Sequence, residues 1–224
     1  MGETGADMLS HDLGLGYLKA SIILGSFFIL AMVFEFCNLG PLLARYWFGI
    51  VVTATVGTTL ADFISRTLEL GYFKASIVLI AIFAVHFAVW HRFDRQDEVD
   101  KDRRVHTGGF YWAAILLASV LGTTLGDYVS NGSSLGFGGG SVVLGSLLML
   151  VFAVGKWTKI PNQVAYWAAI ILTSTFGAST GDYLSKEEGA NMGTLKATLA
   201  VAVALIAVVG YQWFSDNQRL KTVA

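Results

Sequence analysis

Seven stretches of roughly 18–22 residues run with almost no charge, at 16–37, 44–64, 72–91, 110–130, 138–157, 164–185 and 192–213. Each is long enough to cross a hydrocarbon core of about 30 Å as a helix. A backbone in lipid has no water to bond to, so its N–H and C=O groups must pair within the segment, and a helix does this. The rest of the composition agrees. The chain is 54% hydrophobic and 14% charged, against about 25% charged for an ordinary soluble domain. The expected fold class is therefore all-α: a polytopic transmembrane helical bundle.

The stretches are organised by a repeat. An aspartate stands four times in the frame hydroxyl-x-x-Asp-x-x-Ser: Thr4 to Ser10 around Asp7, Thr59 to Ser65 around Asp62, Thr124 to Ser130 around Asp127, and Ser179 to Ser185 around Asp182. Gly2, Gly57, Gly122 and Gly177 each precede their aspartate by five residues. The pairs Tyr46-Trp47, Tyr111-Trp112 and Tyr166-Trp167 open three of the repeats, each tyrosine eleven residues before the motif glycine. Amphipathic rings of this kind favour the headgroup level, which makes them candidates for an aromatic belt. The spans that follow the motif open alike at Gly16, Gly71 and Gly193, with Lys19, Lys74 and Lys196 three residues on. The third repeat departs there, with Gly138-Gly139-Gly140 and no lysine.

Each full repeat holds two spans, so successive repeats enter the membrane from the same side. They are parallel repeats, related by pseudo-symmetry about the membrane normal. The aspartate spacings of 55, 65 and 55 divide them into two halves. Residues 1–91 hold the first two repeats, 92–109 a charged cytoplasmic connector, 110–213 the second two, and 214–224 a cytoplasmic tail. The first repeat starts at its motif, without a first span. An eighth, N-terminal span would complete the ring, and a second copy of the chain, as a homodimer, is the other way to cover that edge.

Lys and Arg set the orientation. Ten of them flank the side that bears the connector and the C-terminus, and five the other side. The positive-inside rule then puts the C-terminus in the cytoplasm of a multi-pass protein of the bacterial inner membrane. A net charge of −1 gives no basic surface for nucleic acid. The single Cys37 excludes an internal disulfide and a cysteine metal cage. No Walker loop, His-Glu-x-x-His or nucleophile elbow is present, so no enzyme activity is expected.

An ionisable group within a span costs roughly 2.5–3.5 kcal/mol on insertion scales and marks a site by default. Repeat symmetry places Asp7, Asp62, Asp127 and Asp182 at one depth around one axis. Residues three apart share a helix face, so Thr59, Thr124, Ser179 and Ser130 can add hydroxyl oxygens. Carboxylate and hydroxyl oxygens are hard ligands, suited to Mg, Ca or Mn. Asp127 and Asp182, which keep Gly-Asp, are the first candidates for a metal. Glu3 and His11 could join from the truncated repeat. His86 and Glu35 are expected to pack or pair locally. A structural alternative stands beside this: each aspartate pairs with its own repeat's lysine (Lys19, Lys74 or Lys196) or caps the returning helix. Asp127 has no such lysine.

The motifs resemble those of bacterial inner-membrane proteins with four tandem two-helix repeats, each with a tryptophan and a Gly-Thr-x-x-Gly-Asp-like motif, catalogued as a repeat of unknown function. The resemblance covers essentially the whole chain; the departures are the missing first span and Ala6 and Ala61 in place of the glycine before Asp. It implies the fold pattern and no activity. From the residues, the expected function is a transporter or exporter of a small cation, a divalent metal with proton coupling, in contact with membrane lipid. No cofactor is expected beyond a bound divalent cation. The alternative is a structural or regulatory membrane protein in which the aspartates serve capping and assembly.

Overall fold

The computed structural model describes residues 1–93, 108–157 and 162–223. All but the ends of the expected connector at 92–109 lies outside the described residues. The elements are α1 (Gly2–Asp7), α2 (Gly16–Phe36), α3 (Leu42–Asp62), α4 (Gly71–Phe93), α5 (Gly109–Asn131), α6 (Gly136–Trp157), α7 (Asn162–Ser185) and α8 (Thr194–Val223). One π-helical turn extends α1 over Met8–Asp12, and another extends α3 over Phe63–Thr67. Both occur in the repeats with Ala-Asp; α5 and α7, with Gly-Asp, continue as regular helix through the motif.

The eight helices form two rings. The first helices of the repeats pack in order, α1 on α3, α3 on α5, α5 on α7, and α7 on α1. Each second helix packs on the first helix of the next repeat: α2 on α3, α4 on α5, α6 on α7, and α8 on α1. This is the cyclic, parallel-repeat arrangement expected from the motif spacing. The inner helices are the buried ones. In the most apolar stretch of α3 and of α5, 56% and 67% is buried, against 28%, 22%, 17% and 6% for α2, α4, α6 and α8. The outer helices turn large apolar side chains outward, among them Ile22, Ile29, Val142, Phe152, Val203 and Ile206. An apolar exterior around a polar interior is the inverse of a water-soluble bundle, and the chain is membrane-embedded.

Among the described residues six helices are long and apolar enough to cross a membrane: α2, α3 with its π turn, α4, α5, α6 and Thr194–Ser215 of α8. The expected span 164–185 lies in α7, whose 24 residues give about 36 Å at 1.5 Å per residue. Length is not what it lacks. Thr173, Ser174, Thr175, Ser179 and Thr180 dilute its apolar character.

Lipid tails are as apolar as leucine, so helix association in a membrane relies on close packing of small residues. The motif glycines serve that here. A Cβ on Gly2 would stand 2.9 Å from Ala54 Cβ, one on Gly57 2.5 Å from Ser119 Cβ, and one on Gly122 2.4 Å from Ser174 Cβ. Each facing residue stands eight before its own repeat's aspartate. Gly177 repeats the motif, yet a Cβ there would meet nothing within 4 Å.

The turns between inner and outer helices are also built alike. Gly16, Gly71 and Gly136 all adopt left-handed φ, at 72°, 70° and 63°, which only glycine takes without strain. All three stand nine residues after their aspartate. The third repeat therefore keeps the turn; the glycine that makes it is Gly136, not the Gly138 of the sequence pattern. In the fourth repeat Gly193 does the same two residues later.

Candidate functional site

The four motif aspartates are buried at one end of the inner ring: Asp7 at 5% exposure, Asp62 at 2%, Asp127 at 1% and Asp182 at 0%. Electrostatic interactions link Asp62 to Asp7 and Asp182, and Asp127 to Asp62 and Asp182. Glu3 is buried with them and interacts with all four. It stands four residues before Asp7, where the other repeats have Thr58, Thr123 and Ala178. These equivalent positions meet across the ring. Thr58 Oγ1 donates to Glu3 Oε2 at 3.2 Å, and the hydroxyls of Thr58 and Thr123 are 3.2 Å apart.

Two cationic side chains face these five carboxylates among the described residues, both from the position four residues after an aspartate; the Met1 ammonium also interacts with Glu3. Arg66 Nε lies 2.8 Å from Asp62 Oδ1. Lys186 Nζ lies 2.6 Å from Asp182 Oδ1 and 3.8 Å from Asp7 Oδ2. Burial alone would lower the basicity of the Lys186 ammonium; Asp182, Asp7 and Glu3 more than offset this and hold it above the ordinary lysine value. In the first and third repeats the same position holds His11 and Asn131. His11 is exposed and meets the Tyr17 hydroxyl at 2.7 Å, so it does not join the acids. Among the described residues no cation pairs with Asp127, and its Oδ2 is buried without a hydrogen-bond partner.

The structural alternative is therefore corrected in its partners. Lys19, Lys74 and Lys196 are exposed and make no ion pair among the described residues. They sit one turn into outer helices, on faces turned away from the ring. Arg66 and Lys186 follow the aspartate by one helical turn and share its face. The i+4 spacing was legible in the sequence. The repeat does not single it out, because only two of the four repeats put a lysine or arginine there.

The hydroxyls lie beside the acids, but they spend their protons on the backbone. Thr59 donates to Val56 O at 3.0 Å and Thr124 to Val120 O at 2.8 Å. Ser10, Ser65 and Ser185 do the same to the carbonyl four residues back. A hydroxyl that donates this way keeps its oxygen lone pairs free to accept. Ser130 and Ser179 also meet each other across α5 and α7, at 2.7 Å, with Ser141 of α6 3.1 Å from Ser179, whose hydroxyl donates to Phe137 O at 3.2 Å. Three carboxylates come closest: one oxygen each from Glu3, Asp7 and Asp182 all lie within 4.8 Å of one another. Asp182 is in this group and Asp127 is not; Glu3 and Asp7 are its other members.

At the other end of the ring the tyrosines do not form an outward belt. Tyr111 and Trp112 are each 1% exposed. Tyr111 Oη lies 3.1 Å from Tyr46 Oη and 2.9 Å from Tyr166 Oη, so three repeats meet in a hydrogen-bonded cluster. His86 packs there too, its Nε2 3.0 Å from Phe110 O. Glu35 pairs with Arg45 at 3.5 Å.

The class defined by this fold and site is a membrane-embedded ring of parallel two-helix repeats around buried acids. The chain belongs to the family described as Repeat of Unknown Function (DUF347), which matches residues 45–96, 110–160 and 165–218. These are the second, third and fourth repeats. No curated protein and no solved structure matches the chain.

Proposed function

We propose that the protein carries a small cation across the bacterial inner membrane, a divalent metal ion first, through the aspartate–hydroxyl site. One observation carries this reading: five buried carboxylates from all four repeats face only two cationic side chains among the described residues. Buried charge without a counter-charge is costly. A bound cation, or protons taken up in its place, would balance the remainder. That exchange is the basis for proton coupling. The site lies where all four repeats meet, so a relative movement of the two halves would open and close it, as in other parallel-repeat carriers. Asp127 and Asp182 supply charge, with Asp7 and Asp62 from the other half. Thr59, Thr124, Ser130 and Ser179 line the faces beside them. The tyrosine cluster would close the opposite end, which the Lys and Arg bias assigns to the cytoplasm together with the C-terminus.

A second reading has its own support. The Arg66–Asp62 and Lys186–Asp182 pairs are i,i+4 contacts of a kind that stabilises helices without any ligand. On that reading the acids serve assembly. Thermal melts of the purified protein with Mg²⁺, Ca²⁺ or Mn²⁺ separate the two, because a ligand bound only by the folded state raises its stability by RT ln(1 + [L]/Kd). The transport reading expects a saturable rise with at least one of these ions. Melts unaffected by all three would favour the assembly reading.

A further inference from the structure

Resting on that cation reading, we propose that Glu3, Asp7 and Asp182 form a divalent-cation site, and that the Lys186 ammonium is its tethered occupant, displaced when the ion enters. The three carboxylates come from two repeats, joined where α1 meets α7. Their closest oxygens lie within 4.8 Å of one another. Three oxygens spread evenly in a plane around a cation bonded at about 2.3–2.6 Å stand about 4.0–4.5 Å apart, so the carboxylates would draw together slightly on Ca²⁺ and further on the smaller Mn²⁺. A cluster of acids could be mere surface acidity. Here it is buried, and Asp182 Oδ2 is fully buried with no hydrogen-bond partner. A buried carboxylate oxygen with no protein donor is free to bind an ion or a water.

Lys186 is built to leave and Arg66 is not. The Arg66 guanidinium stands 5.8 Å from the centre of the Tyr17 ring and 5.7 Å from that of Tyr72, and it pairs with the aspartate of its own helix. Two flanking rings and a planar guanidinium hold it in place. Lys186 follows the last residue of α7; its side chain is about as buried as that of Arg66, 31% against 36% exposed, so the difference between them lies in the head group. Its four-carbon stem ends in a compact point charge with freely turning donors, which binds one carboxylate about as well as its neighbour. Its Nζ already spans Asp182 and Asp7, at 2.6 and 3.8 Å. To vacate the site it has to give up these two carboxylates and a single ring, Phe137 at 5.2 Å, where Arg66 has two. An empty site then never exposes bare like charges to one another. Emptying and refilling become an exchange of one cation for another.

The test uses the full chain purified in detergent, titrated with Mn²⁺ by isothermal calorimetry. Lys186→Met removes the competitor and should bind Mn²⁺ at least tenfold more tightly than wild type. Lys186→Arg keeps a charge and should not. Equal or weaker binding by folded Lys186→Met overturns the inference and leaves the cation reading standing; no binding of Mn²⁺, Ca²⁺ or Mg²⁺ by either protein overturns both. A second measurement needs no variant. Acylation of Lys186 in the wild-type protein, followed by mass spectrometry, should quicken severalfold when Mn²⁺ is added, because the ammonium is released to solvent. An unchanged rate with Mn²⁺ bound overturns the inference.

Discussion

Gly122→Ala and Gly177→Ala alter the same motif position in neighbouring repeats and should have opposite outcomes. At Gly122 the new Cβ would stand 2.4 Å from Ser174 Cβ, 3.0 Å from Thr175 N and 3.1 Å from Ile171 O. Two of these three are backbone atoms of α7 and cannot rotate away. Carbon atoms sit best at about 3.5–4.0 Å, so α5 and α7 would have to separate locally by more than about 1 Å. Overpacking of this kind costs about 1–3 kcal/mol. For a chain of this size that is a fall of about 2–4 °C in Tm per kcal/mol. At Gly177 the Cβ meets nothing within 4 Å, and alanine is the better helix former by about 0.8–1.0 kcal/mol in water. That variant should melt at or slightly above wild type. Tryptophan-fluorescence melts in one detergent at one scan rate would compare them, with Gly57→Ala expected to follow Gly122→Ala. If Gly177→Ala were as damaging as Gly122→Ala, the packing of α5 against α7 through Gly122 would not be what sets the ring's spacing.

Two further outcomes follow from the ion pairs and the loops. Asp62→Asn should lower stability by leaving a half-buried guanidinium unpaired, and Arg66→Met in the same chain should recover part of the loss; Lys74→Met should recover none, and a double-mutant cycle over the melts reads the difference. The turns near Arg66, Asn131 and Lys186 should be periplasmic, so in intact cells an impermeant thiol reagent should label a cysteine placed at 131 and not one placed at 156.

The parts of the fold that repeat were the most legible in the sequence. Asp7, Asp62, Asp127 and Asp182 announced one depth and one axis because four identical frames in register leave little else to do. The inner and outer rings were less visible. Hydrophobicity marks a span, but which spans are interior depends on small residues that face a neighbour, and Gly57 against Ser119 is a contact between repeats that no single repeat displays. Where the repeat is broken, the signal was weakest. Arg66 and Lys186 occupy a position that His11 and Asn131 hold elsewhere, so periodicity averaged them away in favour of the more regular but exposed Lys19, Lys74 and Lys196. Glu3 replaces the threonine of two other repeats and became part of the tightest acid group for the same reason. The tyrosines read as interfacial by chemistry; only three-dimensional proximity turns Tyr46, Tyr111 and Tyr166 into one hydrogen-bonded cluster.

If the buried acids move a cation, the flux must depend on Asp127. This residue has no cationic partner among the described residues, so Asp127→Asn removes charge while keeping size and leaving no orphaned lysine or arginine. Wild-type protein in liposomes loaded with a Mn²⁺-quenched dye should admit Mn²⁺ faster than empty liposomes do, and Asp127→Asn, inserted to the same level and melting as a folded protein, should not. Equal Mn²⁺ flux through wild type and Asp127→Asn, or none through either with any divalent ion tried, would be incompatible with cation transport by these acids.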